Sequence, residues 1–251
     1  MNGVLSNAVS RRTLLKGGAV MGAATIFNSV FGFSRVLGQD MAADDDTQTI
    51  INLASTAELF ATTHYLAAIN GAADLGLAEA QVNYLKAGFL AEQDHLELLM
   101  SLGAEPVVTE FYVPETLFSD KALFAATTEV AETAFTGAYL AAVRIFSKSE
   151  ETTPYAVTCA QIAAVEESHR ALVRQIGGLL PNNTSYAQYT LYNVSSAVPI
   201  LQPFLDGSGE GFIGPLTPPT ADDIAAVRAD AEAIGYDNPG VPFAAMTEMP
   251  A

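Results

Sequence analysis

Residues 163–172 read AAVEESHRAL, and the placement of Glu166 and His169 in that run decides how the rest of the chain is read. On an α-helix, a spacing of three residues means about 60° of rotation and about 4.5 Å of rise, so both side chains leave one face within a turn. The stripe around them is apolar, with Tyr155, Ile162, Val165, Val173 and Ile176 above and below. A carboxylate buried on such a stripe is costly unless something pairs with it. Either this face is wet, or the pair has a partner elsewhere in the chain.

The partner emerges from an internal repeat. AELFATTHYLAAI (57–69) and AETAFTGAYLAAV (131–143) are identical at seven of thirteen positions at an offset of 74, matching Glu58 to Glu132 and Tyr65 to Tyr139. The same offset carries Glu166 and His169 onto Glu92 and His95, in FLAEQDHLELL. Each half of the chain thus supplies a lone Glu on one helix and a Glu-x-x-His on the next, with 34 residues between the two glutamates both times. Every one of these glutamates interrupts an apolar stripe: Ile51, Ala54, Ala61 and Tyr65 flank Glu58; Leu85, Gly88, Phe89, Leu96 and Leu99 flank Glu92; Ala125, Phe135 and Tyr139 flank Glu132. Four buried carboxylates facing one another would repel severely. Two divalent cations balance four negative charges, and two neutral imidazoles complete the shell.

Helical patterns run from about 49 to 72, 78 to 102, 120 to 147 and 153 to 177. Their stops and starts are Gly76, Gly103 with Pro106 beyond, Ser119-Asp120 as a cap pair, Thr153-Pro154 as cap and first helical position, and Gly177-Gly178. Between the second and third lies the stretch 103–116, long enough to cross a bundle from end to end, while the other two connections are short. Short, long, short predicts an all-α four-helix bundle over 49–180 with one crossover. Residues 181–251 read as an irregular C-terminal extension covering the bundle or a neighbour. It carries a short helix near 194–205, a Gly/Pro-rich stretch over 207–219, and a last helix over 221–234 opened by Thr220 and Asp223.

The chain has 251 residues, half of them apolar, a net charge of −17, no Trp and a single cysteine. Cys159 excludes an intramolecular disulfide and a cysteine-based zinc site, and it reads as a small buried apolar residue. At the N-terminus SRRTLLK (10–16) precedes a mild apolar run from Gly17 to Phe33. This resembles a bacterial twin-arginine export signal over 1–38, cleaved near Val36-Leu37-Gly38. A membrane anchor is the alternative, but Asn28 and Ser29 interrupt a run that is only marginally long enough to span. After cleavage no stable membrane anchor is expected. Residues 39–48 form an acidic linker. Export would leave 7 basic and 28 acidic side chains, a net charge of −21 that repels nucleic acid and attracts cations.

Two Glu-x-x-His motifs, each preceded by a core-facing Glu at equal spacing, resemble the ferritin-like superfamily of di-iron and di-manganese carboxylate proteins over about 49–180. The resemblance implies Glu92 and Glu166 as bridging ligands, Glu58 and Glu132 as terminal carboxylates, and His95 and His169 as terminal imidazoles, around two iron or manganese ions, with zinc also able to bind. The export signal and the tail are similar to the branch related to plant desiccation proteins. One departure stands out. Many members place an acid just before the Glu-x-x-His, where this chain has Ala91 and Val165. Glu129 shares the Glu132 face one turn earlier and reads as a supporting residue, a pathway residue, or neither. Tyr65 and Tyr139 stand two turns from the glutamates and read first as core residues with satisfied hydroxyls. Asp94 and Glu167 read as solvated charges, and His64 sits about 120° round from Glu58.

The resemblance implies oxidoreductase chemistry on O₂ or H₂O₂, of the ferroxidase, peroxidase or manganese-catalase kind. The alternative is a non-catalytic stress- or desiccation-associated protein whose metal site is structural. A metal-free bundle is a third reading, opposed by six ligand-type residues that have no packing rationale. The sequence offers no recognisable channel for an organic substrate. The long Gly/Pro-rich tail argues for a monomer or small homo-oligomer rather than a storage cage.

Overall fold

The computed structural model describes residues 43–237 and 240–243. The expected export signal and the first part of the acidic linker lie outside the described residues.

The bundle consists of α1 (Thr47–Asn70), α2 (Glu79–Ser101), α3 (Lys121–Phe146) and α4 (Thr153–Ile176). Asp46 caps α1 by accepting from Thr49 N at 2.7 Å, and Asp120 caps α3 by accepting from Ala122 N and Leu123 N. The reading of Thr153 as the cap of α4 is off by one residue. Thr152 is the N-cap and Thr153 is already helical, with Pro154 still inside the first turn, where its missing N–H leaves no bond unmade. Gly103, at φ +86°, takes the left-handed turn that ends α2.

α1 pairs with α2, and α3 pairs with α4, as two hairpins. The start of α1 lies beside the end of α2, because Gln48 donates to Gly103 O. The start of α3 lies at the opposite end, beside the α1–α2 turn, because Lys121 Nζ donates to Gly76 O at 2.8 Å. The connection between α2 and α3 therefore runs the length of the bundle, as its length requires. It is not a bare loop: β1 (Phe111–Pro114) pairs antiparallel with β2 (Phe212–Leu216) from the C-terminal extension, Phe111 opposite Leu216 and Val113 opposite Ile213.

The extension covers this bundle. It adds a 3₁₀ turn (Val194–Ala197), α5 (Val198–Asp206) and α6 (Ala221–Ala233), the last opened by a reciprocal Thr220–Asp223 capping box. Leu191, Ile200, Leu201 and Phe204 are buried, and the ring of Phe204 lies 5.2 Å from that of Phe60. α6 packs on α2, tied by Lys86–Asp230 at 2.6 Å. No helix among the described residues is long and apolar enough to cross a membrane.

Two apolar clusters make the core. One holds Phe60, Tyr65, Phe89 and Phe135; the other holds Ile51, Leu99, Tyr139 and Ile162. Along α1, α2 and α4 the change from one cluster to the other falls at Glu58, Glu92 and Glu166. A buried polar layer thus divides an otherwise apolar interior, with clusters on both sides supplying the burial energy that holds it in place. Two expected members of the α4 stripe depart from it, Val165, which is half-buried, and Tyr155. Tyr155 sits in the first turn, 36% exposed, where the helix emerges from the bundle, and its ring lies 5.8 Å from that of Phe146.

Candidate metal centre

The polar layer is formed by Glu58 from α1, Glu92 and His95 from α2, Glu132 from α3, and Glu166 and His169 from α4. All four glutamates are at most 1% exposed. The helical spacing of three turns each histidine toward its own glutamate: His95 Nδ1 lies 3.4 Å from Glu92 Oε2, and His169 Nδ1 lies 3.4 Å from Glu166 Oε2. The bundle then brings the hairpins together, with His169 Nδ1 at 2.7 Å from Glu92 Oε1 and His95 Nδ1 at 3.5 Å from Glu166 Oε1. His95 also faces Glu58 Oε2 at 3.7 Å.

Two overlapping quartets of ligand atoms result, Glu58–Glu92–His95–Glu166 and Glu92–Glu132–Glu166–His169, each with all its atoms within 4.8 Å of one another. Glu92 and Glu166 belong to both. Each remaining pair, Glu58 with His95 and Glu132 with His169, belongs to one.

The tyrosines do more than fill space. Tyr65 on α1 donates to Glu132 Oε1 on α3 at 2.6 Å, and Tyr139 on α3 donates to Glu58 Oε1 on α1. The two bonds are repeat-related and cross the bundle in opposite directions. Each holds one oxygen of an outer carboxylate and leaves the other, Glu132 Oε2 or Glu58 Oε2, without a hydrogen bond.

A cation pair can be tested against these orphans. Eight buried atoms of the six residues lack a hydrogen-bond partner: Oε2 of Glu58 and Glu132, both oxygens of Glu92 and Glu166, and Nδ1 of His95 and His169. Buried polar atoms are almost always satisfied, and orphans of this density have no account within the protein alone. Even the 2.7 Å approach of His169 to Glu92 lacks hydrogen-bond alignment. Carboxylate oxygens with two imidazoles suit iron or manganese and accept zinc. The six residues therefore fit a metal site.

The electrostatics of the bare side chains agree. Burial, then the charges of Glu92 and Glu166, pushes the carboxyls of Glu58 and Glu132 well above the usual range. Burial pushes Glu92 up too, but the charge of His169 and the close approach of both imidazoles outweigh it and hold Glu92 well below that range. Burial opposes charge on His95 and His169 as well, yet the surrounding glutamates raise both. Protons on the imidazoles and on the outer carboxyls stand in for cationic charge.

Glu129 does not reach the centre: it pairs with Arg174 and lies 4.0 Å from Arg170, beside His169 in sequence. His64 lies in the core away from the centre, stacked on Phe124 at 5.3 Å. Thr128 Oγ1 donates to Phe124 O, so it accepts from His64 Nε2 at 2.8 Å, and burial lowers the His64 pKa to about 4. Asp94 and Glu167 are not simply solvated: Asp94 pairs with Arg228 of α6 at 3.3 Å, and Glu167 with Arg170 at 3.3 Å. Nothing near Asp94 in sequence announces a partner 134 residues away. Cys159 is buried, its thiol pushed up to about 12 by desolvation. Ala91 and Val165 give neither imidazole an acidic neighbour.

Among curated proteins and solved structures, no match to this chain is found. The model of the ferritin-like domain matches residues 46–178, which span all four bundle helices and all six converging residues. On that match, over more than half of its 251 residues, the chain belongs to the ferritin-like domain family.

Proposed function

We propose that the protein binds two iron or manganese ions at Glu58, Glu92, His95, Glu132, Glu166 and His169, and that it serves O₂ or peroxide redox chemistry. The observation that carries this reading is the set of eight orphaned buried atoms, arranged as two quartets that share Glu92 and Glu166. Bound there, such a pair exchanges electrons with O₂ or H₂O₂.

The chain's own residues set the conditions. Glu92 and Glu166 reach both positions, so they couple them. Tyr139 and Tyr65 fix the outer carboxylates, each with one oxygen turned inward. The layers of Phe60, Phe89, Leu99 and Ile162 on either side keep water away and strengthen every charge interaction between them. The acidic surface raises the local concentration of cations.

Metal analysis of the purified protein beside Glu92→Ala and Glu166→Ala tests the site: about two ions per chain in the wild type, and loss of both in either variant, are expected because each glutamate belongs to both quartets. Anaerobic Fe(II) loading followed by O₂, read with an oxygen electrode and by absorbance, tests the redox step. A protein that holds metal without consuming O₂ or H₂O₂ has a structural site instead.

The same reading places the protein outside the cytoplasm as a monomer or small oligomer. SRRTLLK (10–16) and the long tail support it. Retention of an Arg11→Lys/Arg12→Lys variant in the cytoplasm, and a light-scattering mass of one or a few chains, are the expected results.

A further inference from the structure

His95 and His169 hold equivalent places in the repeat, but the chain closes over them differently. The His95 side chain is 13% exposed against 6% for His169. His95 lines a cavity of about 370 Å³ between α2 and α4, together with Ala91, Leu98 and Val165. Two smaller cavities, of about 40 and 110 Å³, are lined by none of the six converging residues. At about 30 Å³ per water, the largest of the three has room for a divalent ion with its hydration shell.

The C-terminal segment supplies one wall of this cavity. Gly235 takes the left-handed turn that ends α6, with φ +98°. Tyr236 follows, lining the cavity with its hydroxyl 3.5 Å from Asp94 on α2, and Gly240, Val241 and Pro242 line it further on. On α4, Gln161 holds the segment with both ends of its amide, donating to Val241 O at 3.2 Å and accepting from Phe243 N at 2.8 Å. The segment is thus fastened to both helices that flank the cavity. Both Gln161 bonds are exposed, and so is Val241. Such a fastening opens locally while the core stays packed.

The other half is closed with charge. Arg170 is 3% exposed, donates to Asn183 Oδ1 at 2.6 Å and pairs with Glu167. Arg174 donates to Leu180 O at 2.8 Å and pairs with Glu129. The repeat places Leu96 and Met100 at the arginine positions of the His95 half, and Ala87 where Gln161 stands on α4.

We propose that Gly240–Phe243, fastened by Gln161, form a releasable strap over the His95 side of the centre, and that divalent ions enter and leave by that side. That the strap covers His95 stands on these contacts; that ions pass beneath it rests on the dimetal reading above. Opening gives up two neutral bonds that water replaces. Removing the amide therefore raises the open population by about fivefold or more.

The test sets a reporter thiol in the cavity wall of the metal-free full chain, Leu98→Cys on α2 or Val165→Cys on α4. Alkylation by iodoacetamide is followed by peptide mass spectrometry, with Cys159 as the internal reference. Adding Gln161→Ala should speed alkylation of the reporter about fivefold or more. Gln175→Ala, at an exposed position of the same helix, should leave it unchanged. Circular dichroism establishes which reporters fold, and either folded one decides. In the metal-loaded protein, Gln161→Ala should raise the rate of stripping by a chelator by a similar factor at unchanged starting metal content. Equal alkylation with and without Gln161 overturns the strap, whatever metal is bound. Faster alkylation with unchanged stripping overturns the ion route. Faster alkylation of a protein that takes up no metal leaves the strap standing and sinks the dimetal reading, and the ion route with it.

Discussion

Replacing Tyr139 by Phe removes one oxygen atom and changes the shape of the core little, so it isolates a single hydrogen bond. That bond runs from the Tyr139 hydroxyl to Oε1 of Glu58, a residue only 1% exposed. The value of the bond depends on the charge of Glu58. Without cations, burial and the neighbouring carboxylates push the Glu58 carboxyl well above the usual range, which favours its neutral form and a neutral bond. A neutral bond contributes about 0.5–1.5 kcal/mol and one to a charged group about 1.5–3 kcal/mol. Metal binding ionises Glu58, so the bond strengthens by about 1–1.5 kcal/mol in the loaded state. Only that difference appears in affinity. Tyr139→Phe is therefore expected to weaken one of two ions by roughly 5- to 12-fold, and to lower metal-free stability by about 1 kcal/mol. Competition with a graded series of chelators, with metal counted at each step, reads the two affinities separately. Tyr65→Phe should act with the same size on the other ion through Glu132. Unchanged affinity in both variants, or loss of both ions together from either one, would show that the tyrosines do not support the two positions one by one.

Glu58→Ala and Glu132→Ala each remove a residue found in one quartet only, so metal analysis should find about one ion per chain where Glu92→Ala leaves none. His64 titrates at about 4 in the folded protein against an ordinary imidazole value of 6.5, so the unfolded chain takes up its proton first. Stability from this group is intact above pH 6.5 and falls by about 3 kcal/mol as pH drops to about 4. Urea melts of the wild type should show that extra slope over His64→Leu in the same window. Phe60→Ala should cost about 3–5 kcal/mol, because Phe60 is 1% exposed and packs on Phe111 and Phe204. A loss near 1 kcal/mol in a thermal or urea melt would mean that the extension does not pack there.

Much of the bundle is legible in the order of residues because helices are local. Their periodicity and stop signals lie within a few residues of one another, and the observed ends fall within about two residues of those read from the pattern, which is the usual scatter of helix boundaries. The offset of 74 then relates two hairpins without knowledge of their contacts. The extension is less legible, because its partners are distant in sequence. Phe111 and Val113 look like loop residues until Phe212–Leu216, about a hundred positions later, completes the ladder. Thr152 took the cap from Thr153 because proline is tolerated anywhere in the first turn, so Pro154 does not single out one residue.

By itself the sequence determined which faces are apolar and which residues interrupt them, since a period of 3.6 assigns every side chain a direction about its own axis. Convergence of the four helices could be argued from charge, because four buried acids need a common answer. What only the tertiary structure decided are relations between axes: that Tyr139 answers Glu58 and Tyr65 answers Glu132, that Asp94 meets Arg228, and that Glu129 and the arginines gather on the His169 side. Those relations depend on helix separation, rotation and the path of the extension. They are set by packing many apolar side chains at once, and no short stretch of sequence carries that information.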